Sequence, residues 1–323
     1  MILTRTGDAG VMALVDASAG EPGTDQIRIR HLAIGVNFID VYHRTGLYSL
    51  PLPHGIGMEA AGIVEAVGDG VHHLRPGDRA AYASQPPGAY ATQRLMPARD
   101  VCRLPDAIPF EVAAASMLKG LTVQYLLKKT LPVQGLQAGD FILWHAAAGG
   151  VGLLACQWAR HLGLRLIATA GSDEKCQLAL EHGAELAINY RRENFVLRVR
   201  EITAGRGVKV VYDSVGKDTF EGSLDCLAPF GLLASFGNAS GPVPPFNPGL
   251  LAAKGSLYLT RATLFSHLSG RDASQAMADD LFAVLASGAV KPQIGGRYAL
   301  ADAAQAHRDL ESRATTGSLL LLP

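Results

Sequence analysis

Ala147-Ala148-Gly149-Gly150-Val151-Gly152 is the stretch whose residue types and spacing point most directly to chemistry. Glycines at a strand-to-helix corner let the main chain close on an anion, and the unpaired N–H groups at the positive end of the new helix then face it. The full dinucleotide fingerprint is Gly-x-Gly-x-x-Gly; here Ala147 takes its first position, followed by Gly149 and Gly152. A turn of purely structural use is the alternative, because a glycine corner alone is a weak signal. The flanks supply context. Phe141-Ile142-Leu143-Trp144 is a short apolar run, and Leu153, Leu154, Gln157 and Trp158 resume at helical spacing. The run is nearly uncharged, but three glycines and His145 within it argue against a membrane helix.

The next apolar run, 164–169, decides which dinucleotide such a corner would take. A cofactor with a free ribose 2′-hydroxyl meets an Asp or Glu about 20 residues past the glycines. This sequence has Ala170-Gly171-Ser172 at that strand end. Small residues leave room for a 2′-phosphate, and Lys175 supplies a countercharge from the following helical turn, so the pattern predicts NADPH. Asp173 and Glu174 stand in the way if they turn inward, and Lys175 paired with them on a solvated face is the bland alternative.

The periodicity predicts strands at 140–145, 164–169, 186–189, 208–213, 231–236 and 256–260, with helical segments between most of them. Six strands with such crossovers imply a doubly wound parallel sheet, an α/β architecture, with the glycine corner after its first strand. Upstream the pattern changes. Ile27-Arg28-Ile29-Arg30 alternates, 62–68 is a glycine-bounded strand, and Arg79-Ala80-Ala81-Tyr82 follows the turn Pro76-Gly77-Asp78. Short strands at close spacing predict a barrel-like antiparallel domain. Residues 279–285 and 301–310 are amphipathic and helical, and 317–322 reads as a terminal strand.

Between the early strands, Asn37, Asp40, Tyr42, Arg44 and Tyr48 gather hydrogen-bonding side chains beside apolar ones on a short helix and the loop after it. A pocket wall needs such a mixture; a solvated helix face with two satisfied tyrosines is the other reading.

The 323 residues suggest two domains, and 48% hydrophobic with 18% charged residues and 36 glycines fit a well-packed, turn-rich protein. Lys+Arg and Asp+Glu balance at 29 each, so no net charge recruits nucleic acid or anionic lipid, and a small molecule is the expected partner. The opening residues carry no signal-peptide pattern, which predicts a cytoplasmic protein. Cys102, Cys156, Cys176 and Cys226 are scattered without a Cys-x-x-Cys pair and read as reduced and structural.

From Gly57-Met58-Glu59-Ala60-Ala61-Gly62 through Gly68, then Gly77-Asp78-Arg79 and the glycine corner, the chain resembles the medium-chain dehydrogenase/reductase superfamily over essentially its whole length. In the zinc alcohol dehydrogenases of that superfamily a histidine that binds catalytic zinc stands between the Gly and the Glu. This sequence has Met58 there, and a thioether is a poor zinc donor. The four-cysteine zinc cluster of the family is missing too. His54, His72 and His73 are conceivable substitutes, but lone surface histidines are far commoner than ligands, and no metal is expected.

Within the superfamily the chain resembles the zinc-free quinone oxidoreductases related to zeta-crystallin. Six motifs in order carry this: Asn37-Phe38-Ile39-Asp40, Leu118-Lys119-Gly120-Leu121-Thr122, the glycine corner, Tyr212-Asp213-Ser214-Val215-Gly216, Ser235-Phe236-Gly237-Asn238 and Glu311-Ser312-Arg313-Ala314-Thr315. The resemblance implies a Rossmann domain at 123–262 and a GroES-like catalytic domain from 1–122 and 263–323, with the cleft between them. It implies NADPH held by Thr122, Gly149, Gly150, Val151, Gly171, Ser172, Lys175, Tyr190, Ser214, Phe236, Gly237, Asn238, Arg261 and Arg313. Without the resemblance, either arginine is as well explained as an ion-pair partner. The quinone would be positioned by Asn37, Tyr42 and Tyr48. A homodimer is expected, with the edge near 256–260 as its contact. Two rivals stand beside this reading: an NADPH-dependent alkenal or enone reductase on the same scaffold, and a non-enzymic RNA-binding or lens-type protein, which the neutral composition disfavours.

Overall fold

The computed structural model describes residues 1–130, 135–312 and 315–323. These divide into two compact units, Met1–Leu121 with Leu264–Pro323, and Thr122–Thr263.

The Thr122–Thr263 unit is built on six parallel strands: β1 (Phe141–Trp144), β2 (Arg165–Ala170), β3 (Leu186–Asn189), β4 (Val208–Asp213), β5 (Leu227–Ser235) and β6 (Tyr258–Arg261). Their order is β3-β2-β1-β4-β5-β6, the doubly wound arrangement expected from the alternation of runs. Leu143 of β1 sits in register with Ile167 of β2 and with Val211 of β4, so the glycine corner leaves the middle of the sheet, where the strand order reverses. Ile142 to Trp144 and Leu166 to Ala170 are buried without alternation. A parallel sheet covered by helices on both faces requires this, and it is why these strands read as continuous apolar runs. Leu143, Ile167, Ile188, Val211 and Leu233 form the spine of the core.

The other unit carries a seven-stranded sheet centred on the long strand Gln26–Val36. Ile27 and Ile29 are fully buried, while Arg28 and Arg30 alternate outward to Glu65, as the period-two pattern demands. That strand pairs antiparallel with Glu59–Val67 along its length, with Gln93–Pro97 at its start and with Ser318–Leu322 at its end. The closing strand therefore returns to the first domain's sheet. Pairing is antiparallel apart from Ile294–Ala299, which runs parallel to Ser318–Leu322. The helices Arg271–Ala286 and Ala303–Glu311 occupy the two amphipathic stretches. Among the described residues no helix is long and apolar enough to cross a membrane.

Candidate cofactor and substrate site

The glycine corner begins where β1 ends. His145 N–H donates to Tyr212 O and Ala147 N–H to Thr169 O, so the chain is pinned to both neighbouring strands as it leaves the sheet. Gly149 caps the helix Gly150–His161 in an extended conformation with no side-chain cap, which leaves the first N–H groups of the helix to an outside acceptor. A Cβ on Gly152 would collide with the Cα and carbonyl of Ala147. This glycine is needed for close packing of the helix start on the turn, the third role in the fingerprint. Gly149 is exposed, and Gly150 and Val151 are half-buried.

At the end of β2, Ser172 caps the helix Asp173–Glu181, its Oγ accepting from Lys175 N–H at 3.3 Å. Lys175 thus lies on the first turn, as its spacing implied. A Cβ on Gly171 would stand 2.6 Å from Tyr190 Oη, so the tyrosine after β3 closes over the glycine and would have to shift to admit a larger residue. Gly171, Ser172, Lys175 and Tyr190 therefore share one corner. Asp173 does not project into it: its Oδ1 accepts from Asn189 Nδ2 at 2.6 Å, and Oδ2 is ion-paired with Arg192.

A third loop follows β4 and β5. Gly237 lies so close to Ser214 that a Cβ would be 2.5 Å from Ser214 O, and the two turns are laced by Phe236 N–H to Asp213 O, Ala239 N–H to Ser214 O and Ser240 N–H to Val215 O. The Phe236 ring packs on Trp144 of β1 at 5.6 Å. Arg261 closes β6, in register with Ser235. Thr122 is half-buried on the helix Met117–Lys129. Arg313 and Ala314 lie outside the described residues, so the placement of Arg313 is left as an expectation.

Beneath these loops is a network that residue-by-residue reading of the sequence missed. Asp213 is almost fully buried. Its Oδ1 accepts from the N–H groups of Val215 and Gly216, and its Oδ2 accepts from the hydroxyls of Thr219 and Ser223. The Ser223 proton is directed to the carboxylate, so His145 Nε2, 3.0 Å away, donates to Ser223 Oγ, and His145 Nδ1 accepts from Thr169 Oγ1 at 2.8 Å. Burial pushes the imidazole below its ordinary pKa, which favours the neutral ring, and its two hydroxyl partners select the tautomer. The only signal for it was a polar histidine closing an apolar strand.

In the other unit, Asn37 caps the helix Phe38–Thr45, and its own N–H donates to Asp40 Oδ2 at 2.9 Å. Tyr42 and Tyr48 pack edge to face, ring centroids 5.2 Å apart, both half-buried. Asp40 and Arg44 correct the pocket-wall expectation. They are fully buried and point inward, Asp40 to Tyr90 Oη and Arg44 to Glu311 Oε1 at 2.7 Å. The helix has one more inward polar face than its sequence suggested, because Tyr90 and Glu311, distant in sequence, supply partners there.

Asn37 is oriented from behind. Its Nδ2 donates to Glu59 Oε1 at 2.7 Å, and that wholly buried carboxylate also accepts from Leu118 N–H at 2.6 Å and Lys119 Nζ at 3.2 Å. Met58, preceding it, is equally buried.

Residues 23–106 match the alcohol dehydrogenase GroES-like domain, and residues 150–283 match the family described as zinc-binding dehydrogenase. A quinone oxidoreductase of Pseudomonas aeruginosa is 54% identical over 98% of this chain and 97% of its own. The chain belongs to the quinone oxidoreductases of the medium-chain dehydrogenase/reductase superfamily. The structure of an Escherichia coli quinone oxidoreductase complexed with NADPH superposes with a TM-score of 0.97 at 50% identity, covering all of this chain and 99% of that one. A 2-haloacrylate reductase from a Burkholderia species is 42% identical over the whole chain and 98% of its own length.

The zinc in the matched family's description does not fit the donors here. A thioether replaces the nitrogen donor at Met58, and both oxygens of the Glu59 carboxylate are engaged by hydrogen-bond donors. His54 Nδ1 lies 2.7 Å from Gly55 O and His73 Nε2 lies 3.0 Å from Ala98 O. Among the described residues no group of three or more His, Cys, Asp or Glu side chains is placed to hold a metal.

Proposed function

We propose that this chain is an enzyme that reduces quinones with NADPH, by hydride or electron transfer and without zinc. The observation that carries the coenzyme is the corner of Gly171, Ser172, Lys175 and Tyr190, with Asp173 turned to Asn189 and Arg192, in a chain that matches quinone oxidoreductases over 98% of its length. In this reading the Thr122–Thr263 unit binds the dinucleotide and the other unit the substrate. Gly149, Gly150 and Val151 would hold the pyrophosphate through main-chain N–H groups, and Lys175 would meet the 2′-phosphate. Thr122 and the Phe236-Gly237-Asn238 turn, braced by Ser214, would orient the nicotinamide, and Arg261 and Arg313 would reach phosphate or ribose. When bound, the reduced nicotinamide supplies the reducing equivalents. Asn37, held by Glu59, would position the quinone together with Tyr42 and Tyr48, and a tyrosine hydroxyl would donate to the oxygen that gains charge. A quinol oxyanion is weakly basic, so no obligatory protein acid is required.

Nicotinamide fluorescence titration with NADPH and NADH tests the coenzyme. NADPH binds more tightly, and Lys175→Ala removes most of the difference. Equal affinities, insensitive to that substitution, would sink the assignment. The full-length match to the 2-haloacrylate reductase favours one second reading, reduction of activated alkenes. Faster NADPH consumption with α,β-unsaturated carbonyls than with quinones would establish it.

The same reading places the chain in the cytoplasm as a homodimer. Its four cysteines are free and buried, and β6 is an edge strand whose first residue, Tyr258, is exposed. Light scattering of the purified chain checks the stoichiometry.

A further inference from the structure

The turn after β3 carries a charge arrangement that the cofactor assignment leaves unused. Asp173 lies about 20 residues past Gly152, in the interval where dinucleotide folds place an acid against a ribose 2′-hydroxyl. A free carboxylate there favours NADH and repels a 2′-phosphate. Here it is doubly engaged, by Asn189 Nδ2 at 2.6 Å and by the Arg192 guanidinium.

The partners are preorganised. Asn189 ends β3 in register with Ala170 of β2 and is only 8% exposed. Its Oδ1 accepts from Arg191 N–H at 3.1 Å, which settles the amide orientation and aims Nδ2 at Asp173. Its main-chain carbonyl accepts from the N–H groups of Arg192 and Glu193, both at 3.0 Å, which folds the turn so that Arg192 returns to the helix start. The second acid, Glu174, is drawn to the Ser172 hydroxyl, which holds its carboxyl below the usual range.

We infer that Arg192 and Asn189 set the coenzyme preference of this chain by holding Asp173 out of the corner made by Gly171, Ser172 and Lys175. Arg192 is then a specificity residue that acts through Asp173, and it need not touch the cofactor. The inference rests on the NADPH reading above. The Asp173 and Arg192 side chains are 51% and 72% exposed, so the pair contributes little to stability and its removal leaves the fold intact. Its effect is on the field at the corner, largest at low ionic strength.

The test is nicotinamide fluorescence titration of the full chain with NADPH and with NADH at low salt. The proteins are the wild type, Arg192→Ala, Asp173→Asn and the double variant. Arg192→Ala lowers the ratio of NADPH to NADH affinity about tenfold, a change of ~1.4 kcal/mol. Adding Asp173→Asn restores the ratio to the wild-type value or above. An unchanged ratio in Arg192→Ala overturns the inference. So does a double variant as poor as the single one, since Arg192 would then be binding phosphate directly. Equal wild-type affinities for the two coenzymes would remove the NADPH reading and the inference with it. A clear wild-type preference with an inert Arg192 removes the inference alone.

Discussion

In the function proposed for this chain, the groups that the Thr122–Thr263 unit offers a ligand belong largely to the main chain, whereas those of the other unit are side chains from one short helix and the loop after it. The first arrangement needs glycines at the ligand and a buried polar frame below: Gly149 and Gly152 open the corner, and Asp213 with His145 hold the strand ends. The second needs a fixed buried charge behind the side chains, and Glu59 with Lys119 provides it. Main-chain sites tolerate no added atoms but are indifferent to most side chains. Side-chain sites depend on how a carboxylate out of sight is compensated.

Substitutions can separate the two cases. Lys119→Met leaves Glu59 buried without its cation, and breaking such a pair costs about 3–5 kcal/mol. Urea unfolding should show that loss, and Lys119→Met with Glu59→Gln should recover much of it; a double variant no better than the single one would mean that the charge is not what matters. Gly152→Ala comes next. Overpacking costs roughly 1–3 kcal/mol, and here the obstacle is backbone, so the upper end is expected, with at least a tenfold weaker hold on NADPH by titration. A variant that binds and melts like the wild type would show that the turn can yield.

Asp213→Asn keeps the shape but gives up a charged acceptor, about 1.5–3 kcal/mol when such hydrogen bonds are lost. Its signature should be a raised KM for NADPH with a smaller change in kcat, because the network braces the cofactor loops without touching reacting atoms. A fall in kcat alone would contradict that role.

The smallest effect is expected at Asp40 and has a pH sign. Burial pushes its carboxyl up to about 7, so its contribution to stability is full below the ordinary carboxylate range and is lost as pH rises through about 7. His31 and His43, pushed down to about 4, and His307, to about 3, act the other way: their contribution is present above about 6.5 and is lost as pH falls through those values. Asp40→Asn should therefore raise the melting temperature at pH 8.5 and not at pH 5. The gain should be roughly 1 kcal/mol, since a neutral amide accepts from Asn37 N–H and Tyr90 less strongly than a carboxylate and offsets part of the relief. The same shift at both pH values would show that charge burial is not involved.

Much of the dinucleotide unit was open to inspection as a string of residues. The runs at 186–189 and 208–213 coincide with β3 and β4, which are short, mostly apolar and bounded by turn residues. The glycine corner and the small residues at 170–172 were equally plain, since main-chain approach leaves a compositional mark. β5 begins four residues earlier than its apolar run suggested, at Leu227, with Pro229 and the exposed Phe230 within it; pairing with neighbouring strands, which no local pattern encodes, extends it.

Chain-local chemistry thus determined the strand order's raw material, the glycine corner and the thioether in place of a zinc donor at position 58. Tertiary structure alone decided where the polar side chains point. Asp40 and Arg44 turn inward because Tyr90 and Glu311 arrive from elsewhere, Asn37 faces as it does because Glu59 is behind it, and Asp173 leaves the corner because Asn189 and Arg192 draw it away. A carboxylate's direction is set by whichever donor comes within about 3 Å, and that donor can lie anywhere in the chain.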